Sequence, residues 1–403
     1  MAEPTEIAAR LLAWARAHGR HDLPWQRAPS PYTVWLSEVM LQQTRVATAS
    51  PYFERFRARF PTLAALAAAP LDEVLAHWSG LGYYTRARNL HAAARRVVAE
   101  HGGELPRSLS ALAALPGIGR STAGAILALA HGQRQPICDG NVRRILLRYH
   151  GIRAVPVGAA MERQLWALAE AATPPAQAPP RTVAAYTQAI MDLGALVCTP
   201  KVPRCPACPL AEGCRAAREG VAAELPTPRP GRRLPVRTTG MVVVLVPLQA
   251  LIRRCKIAEG DQGGGNRVLL VRRPETGIWG GLWSLPEVAD AAAARAWCAL
   301  HLGERIGEAV SVREGEGFRH TFTHFHLDIA PYWVRLPAVP IPGPLPAPIS
   351  MPAPIPVSAL GQIPSVSDLV GEARWIGPGE GAAVGIPAPV RRILSMAPPV
   401  SGI

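Results

Sequence analysis

The 403-residue chain carries 43 Lys and Arg against 29 Asp and Glu, a formal charge of 43 − 29 = +14. Two or three domains with cores of their own are expected at this length, which excludes a scaffold that needs staples to fold. The excess is uneven, 26 − 16 = +10 in residues 1–230 and 17 − 13 = +4 in 231–403, and in a chain without a lipid-anchor motif it points to a polyanion, nucleic acid before membrane.

No apolar run is long and unbroken enough to cross a bilayer, and Glu3 and Glu6 stand where a secretory leader would be basic, so a cytoplasmic protein is expected. From Thr5 to about Cys214 apolar residues recur three and four apart, as in Ile7, Leu11, Leu12 and Ala15, with Gly and Pro at the breaks. This predicts an all-α region of about ten short helices. Leu23-Pro24-Trp25 comes first, followed by Ser37-Glu38-Val39-Met40-Leu41-Gln42-Gln43-Thr44. A carboxyl among Val39, Met40, Leu41 and Trp25 would have its pKa raised toward the range of a general acid; the plain alternative for Glu38 is a solvated helix residue. Next comes Gly80-Leu81-Gly82-Tyr83-Tyr84-Thr85-Arg86-Ala87-Arg88-Asn89-Leu90, with Tyr83 in a Gly-flanked turn.

Leu115-Pro116-Gly117-Ile118-Gly119-Arg120-Ser121-Thr122-Ala123-Gly124 places two glycines in a tight turn that opens an apolar helix. Backbone N–H groups around Gly117, Gly119 and Ser121 then point outward and can grip a phosphate without side chains. Ile137-Cys138-Asp139-Gly140-Asn141-Val142-Arg143-Arg144 follows, and on its own the Asp-Gly-Asn string would read as a turn with a helix cap. Gln188 lies in Tyr186-Thr187-Gln188-Ala189-Ile190-Met191-Asp192-Leu193-Gly194.

Four of the seven cysteines fall within 17 residues as Cys198-x6-Cys205-x2-Cys208-x5-Cys214. In a reducing compartment such clustering argues for a metal, and four thiolates suit zinc or a four-iron cluster. Zinc sites usually come as two short-spaced pairs, whereas one x2 pair with longer arms resembles the cluster loop of the endonuclease III family of DNA glycosylases, which implies a 4Fe-4S cofactor. Lys201 and Arg204 give that loop a basic surface. Cys138, Cys255 and Cys298 are expected to be small core residues.

Residues 223–236, with Pro226, Pro228, Pro230, Gly231 and Pro235, look like a linker between an all-α domain at 1–222 and a second domain at 237–403. Short β-branched runs at Met241–Pro247 and Arg267–Val271, a Gly-rich stretch at 260–266 and alternation over Thr321–Tyr332 predict an α+β fold there. Ten prolines in the 28 residues 337–364 predict an extended surface insertion.

Together these strings resemble the MutY family of adenine DNA glycosylases, helix-hairpin-helix relatives of endonuclease III that carry a C-terminal Nudix-like, or MutT-like, domain. The likeness runs from about residue 5 to 400. It implies removal of adenine mispaired with 8-oxoguanine or guanine in double-stranded DNA by a monomer. Glu38 would protonate the adenine and later help activate water. Asp139 would stabilise the sugar cation left behind or bond to it transiently. Asn141 would position sugar or water, and Gln188 would hydrogen-bond the adenine; the plain reading of both is a helix-surface amide. Trp25 and Leu41 would line the base pocket, and Gln42, Gln43 and Tyr83 would enter the stack when the base is flipped out. Ser121 stands where strand-cleaving relatives carry a lysine, and the chain has only two lysines, Lys201 and Lys256, so an intact abasic site is the expected product.

Trp279-Gly280-Gly281-Leu282-Trp283-Ser284-Leu285-Pro286-Glu287 looks like the entry loop of a Nudix domain. The carboxylate cluster that holds Mg²⁺ for phosphoanhydride cleavage does not follow it. This domain is therefore expected to read rather than cut. Phe318-Arg319-His320-Thr321-Phe322-Thr323-His324-Phe325-His326 matches the strand segment with which the family senses the opposite base, placing Thr323 and His324 at the contact positions.

Overall fold

The computed structural model describes residues 4–228, 231, 233–247, 266–302, 311–336, 372–377 and 384–396. The Pro-rich stretch 337–364, Cys255, Lys256 and all but the last residue of the Gly-rich stretch lie outside them. Two compact units form: residues 1–69 with 88–231, and residues 70–87 with 232–403.

The first unit is helical, as the 3.6-residue periodicity predicts. In order come α1 (Pro4–His18), α2 (Pro31–Leu41), α3 (Val46–Arg59) and α4 (Leu63–Ala68). After α5 (Leu71–Trp78), which belongs to the other unit, come α6 (Thr85–Glu100), α7 (Leu109–Ala113), α8 (Arg120–His131) and α9 (Gly140–Tyr149). α10 (Ala159–Ala172), α11 (Pro180–Leu196) and α12 (Arg215–Arg218) complete it. Ser30 starts α2 by accepting from the Thr33 N–H, with Pro31 preset for the first turn. α8 stops at Gly132, whose φ of +63° needs glycine. The core joins Leu11 of α1 to Val142, Ile145 and Leu146 of α9, Leu165 of α10 and Ile190 and Leu193 of α11. Cys138 is buried in it.

The second unit is built on a sheet that runs β3-β2-β1-β7-β5, with β4 beside β1, β6 beside β7 and β8 beside β2. The strands are β1 (Val236–Pro247), β2 (Asn266–Arg272), β3 (Trp283–Ser284), β4 (Glu287–Val288), β5 (Val312–Glu314), β6 (Phe318–Thr321), β7 (His326–Arg335) and β8 (Ala373–Ile376). β1 and β7 pair in parallel with Val242 opposite Tyr332. Val242, Val244 and Val246 turn to one face, where Trp297 and Cys298 of α13 (Ala291–Leu302) cover them. α14 (Ala388–Ser395) follows β8.

Residues 70–87 are bound into this unit by specific contacts. The Ser79 hydroxyl donates to the Ile386 carbonyl at 3.0 Å and accepts from Arg391 at 2.7 Å. Arg272 pairs with Asp72 at 2.8 Å. A Cβ on Gly385 would come within 2.9 Å of the Leu75 Cβ, so glycine permits α5 to approach this closely. Among the described residues no helix is long and apolar enough to cross a membrane.

Candidate active site

Two helices with very different beginnings bring two carboxyls together. α2 buries Tyr32 through Ser37, then Val39 and Met40, and carries Glu38 as a partly buried residue between them. Burial, and then the charge of Asp139, push the Glu38 carboxyl up to about 8. Asp139 caps α9, its Oδ1 accepting from the Val142 N–H at 2.8 Å. The turn-and-cap reading of the Asp-Gly-Asn string is therefore true of the structure, and it leaves the carboxylate beside Glu38. Burial raises the Asp139 pKa, while the backbone N–H groups of Val142 and Asn141 and the arginines Arg144 and Arg143 oppose the rise. The two carboxyls are coupled: burial raises both, the N–H groups and arginines restrain the rise at Asp139, and the Asp139 charge adds to the rise at Glu38.

The other residues anticipated in the first unit lie on several of its elements, each with contacts of its own. Trp25 is buried in a 3-10 turn, Pro24–Gln26, with its ring edge-on to Phe53 at 5.5 Å. Leu41 is the last residue of α2 and partly buried. The Gln42 amide reaches Thr122 of α8 at 3.4 Å. Gln43 is exposed at a φ of +58°, a left-handed conformation strained for a residue with a Cβ. Ser121 accepts from the Cys138 N–H at 3.0 Å and so fixes the segment that delivers Asp139.

Gly117, at φ +74°, turns the chain where a Cβ would meet Asn89 at 2.7 Å. Gly119 precedes α8 and is exposed with open space around it, leaving the helix N-terminus accessible to an anion. The Asn141 carbonyl oxygen accepts from Arg144 at 2.8 Å, and that guanidinium also reaches the Gly194 and Cys198 carbonyls. On α11 the Gln188 amide donates to Asp192 at 2.8 Å.

Cys198, Cys205, Cys208 and Cys214 line one cavity with Ile145, Leu193 and Leu210. Arg148, 1% exposed, also lines it: its guanidinium lies 3.3 Å from the Cys198 sulfur and donates to the Thr199, Pro200 and Leu225 carbonyls. Among the described residues no group of three or more His, Cys, Asp or Glu converges as a metal-ion site.

Sequence reasoning missed the part played by Arg148. It also missed Arg20, whose backbone N–H and guanidinium both bind the buried Asp192. The spacing of Gln188 and Asp192, four apart on one helix, signals only their own contact and says nothing of Arg20.

Three anticipated residues belong to the second unit. Tyr83 is 45% exposed at φ +49°, with the Arg86 guanidinium 5.4 Å from its ring centroid. Thr323 and His324 are exposed in the turn between β6 and β7, not on a strand as the alternation suggested. The Phe322 N–H donates to the Phe325 carbonyl at 2.9 Å and the two rings stack at 4.5 Å, which closes the hairpin there. Glu287 is held by the Arg273 guanidinium, and the following helix, α13, carries no acidic residue.

Fold and site define a class. Residues 36–171 match the model of the HhH-GPD superfamily of base excision DNA repair proteins, and residues 262–396 match a NUDIX domain. The chain is 36% identical to an adenine DNA glycosylase of Buchnera aphidicola subsp. Schizaphis graminum over 81% of its own length and 86% of the relative's. It is likewise 36% identical to the human adenine DNA glycosylase, over 83% of this chain and 68% of that one. Among solved structures, a thermostable thymine-DNA glycosylase aligns at 25% identity over 54% of this chain and 97% of its own, with a TM-score of 0.47. The chain belongs to the adenine DNA glycosylase family and hydrolyses an N-glycosyl bond.

Proposed function

We propose that the chain removes adenine from double-stranded DNA where it faces 8-oxoguanine or guanine, and that the product is an intact abasic site. What carries this reading is the placement of Glu38 on α2 between buried residues and beside Asp139, the cap of α9, where burial pushes the Glu38 carboxyl up to about 8. Adenine leaves poorly until protonated, so Glu38 delivers a proton to the base as the glycosidic bond breaks. Asp139 faces the positive charge that develops on the sugar and lowers its energy or bonds to it transiently. Asn141, oriented by Arg144, positions sugar or water, and water completes the hydrolysis.

Trp25 and Leu41 wall the base pocket. Gln42, Gln43 and the exposed Tyr83 replace the stacking lost when the base turns out, and the Gly117–Gly119 turn with Ser121 holds a phosphate. Thr323 and His324 read the opposite base. The chain's two lysines, Lys201 and Lys256, lie outside the sequence strings of Glu38 and Asp139, and arginine stays protonated, so Schiff-base chemistry on the sugar is not expected.

The four thiols around one cavity, with a buried guanidinium against one sulfur, fit the donor set of a 4Fe-4S cluster. Cys198, Cys205, Cys208 and Cys214 would hold it. A cluster held there would order the basic loop around Lys201 and Arg204 and would take no part in the chemistry at the base.

Single-turnover assays on duplexes carrying adenine opposite 8-oxoguanine, guanine, thymine or cytosine test the reading. Fast excision is expected for the first two, with strand breaks only after alkali. Replacing Thr323 and His324 by Ala should lower the 8-oxoguanine preference without loss of folding. Equal rates opposite all four bases, or covalent trapping by borohydride, would refute the assignment.

A further inference from the structure

Asp192 is 1% exposed, a costly place for a carboxylate. Arg20 meets it with three donors: the backbone N–H at 2.8 Å from Oδ2, and Nε at 2.8 Å and Nη2 at 2.6 Å from Oδ1. The Arg20 carbonyl accepts from the Gln26 amide at 3.0 Å, and the Gln26 carbonyl oxygen accepts from Leu23 N–H, so the same turn that presents Trp25 anchors Arg20. Oδ1 of Asp192 also accepts from Nε2 of Gln188 at 2.8 Å.

A carboxylate held by a guanidinium can only accept hydrogen bonds, whereas an amide has a donating end and an accepting end. Gln188 must therefore turn its NH2 group toward Asp192. Its carbonyl oxygen is left without a partner among the described residues, on a partly buried side chain. The same oxygen would accept from an exocyclic amine and repel a carbonyl.

We propose that Asp192, clamped by Arg20, is a positioning residue that locks the Gln188 amide with its oxygen outward and so makes the pocket select a 6-amino purine over a 6-oxo purine. This rests on the reading of Gln188 as the residue that meets the flipped base. A buried ion pair contributes little net stability compared with apolar residues of the same size, and fixing one amide orientation gives this pair a task that apolar packing could not perform. A polar site left mismatched discriminates more strongly than a merely ill-fitting one.

The test compares single-turnover excision of adenine and of hypoxanthine, which carries a 6-oxo group, at the same position opposite 8-oxoguanine. The wild-type protein is expected to favour adenine. In Asp192→Asn the neighbouring amide can present either end, Gln188 is free to flip, and the adenine-to-hypoxanthine ratio is expected to fall at least tenfold. Adding Gln188→Glu to Asp192→Asn restores an acceptor toward the base and should return the ratio to within about threefold of wild type. If Asp192→Asn does not fold, the double variant Arg20→Leu with Asp192→Leu carries the test, since it removes the acceptor that fixes the Gln188 NH2 group without leaving a buried charge, and should lower the same ratio at least threefold. Equal losses on both bases, or a ratio unchanged in a folded variant, would overturn the inference. Failure of the wild-type protein to release adenine at all would instead overturn the functional reading on which it rests.

Discussion

Glu38 and Glu287 are the same side chain in opposite circumstances. In the first unit Glu38 lies among Val39, Met40 and Ser37 of α2 without an ion-pair partner among the described residues, and its carboxyl is pushed up to about 8. In the second unit Glu287 stands at the end of the Nudix entry loop, and the Arg273 guanidinium neutralises it, with both side chains about 14% exposed. A buried carboxyl without a matched cation lowers stability and holds its proton to higher pH. One with a matched cation holds a turn in place. The difference teaches that burial alone does not mark a catalytic carboxyl; what the neighbours do to its charge does.

The contrast breaks most sharply at Glu38. Glu38→Gln should lower the single-turnover excision rate by about 10²–10⁴-fold while mismatch binding survives, because the amide keeps the shape but has no proton to transfer. A rate within tenfold of wild type would remove Glu38 from the mechanism. Asp139→Asn should cost about 10²–10³-fold in rate. Asn caps helices as well as Asp, so α9 should keep its start and circular dichroism its helical signal; a near-normal rate would return Asp139 to a purely structural role.

A third test uses pH. The excision rate should fall as pH rises through about 8, following loss of the Glu38 proton. In stability the sign is opposite to that of a salt-bridged acid. The folded protein binds this proton more tightly than the unfolded chain, so stability declines as pH rises from about 4.5 to about 8. Glu38→Gln should therefore become progressively more stable than wild type across that window, each displaced unit counting for ~1.4 kcal/mol. Melting curves that run parallel from pH 5 to 8 would contradict it. The smallest effect is expected at Glu287→Gln, which should lower the melting temperature by a few degrees through loss of its charge partner yet leave excision within about twofold. A large fall in activity would show that the second unit contributes to the chemistry.

Much of the fold and of the proposed site was legible in the sequence because the residues proposed for the chemistry sit in short strings. Glu38 and Asp139 each lie within eight consecutive residues whose helix and turn signals are local. The β-branched runs announced the sheet through their period of two, and the missing acidic cluster after Glu287 was a matter of reading.

Other features depend on contacts that no local pattern encodes. Arg20 and Asp192 are 172 positions apart, and Arg148 reaches Leu225 across 77. Thr323 and His324 were read as strand because Phe, Thr and His alternate there without Gly, Asn or Pro to mark a turn, and stacking of Phe322 on Phe325 supplies the bend instead. The helical period of α5 could not reveal which unit it joins, since Val74, Leu75 and Trp78 make an apolar face that would suit either.

That last feature bears on how such a protein can be taken apart and recombined. A border drawn through residues 223–236 divides the sequence but not the bodies, because residues 70–87 leave the first half and complete the second. A C-terminal piece beginning at 232 would lack Ser79 for Arg391 and Ile386 to hold, and an N-terminal piece ending at 231 would offer Leu75 to water. During synthesis α5 emerges long before the strands that receive it, so the second unit can finish folding only when both distant stretches are present. Grafting the second unit from one relative onto another would accordingly need three junctions rather than one, with the Tyr83 turn carried along as its cargo.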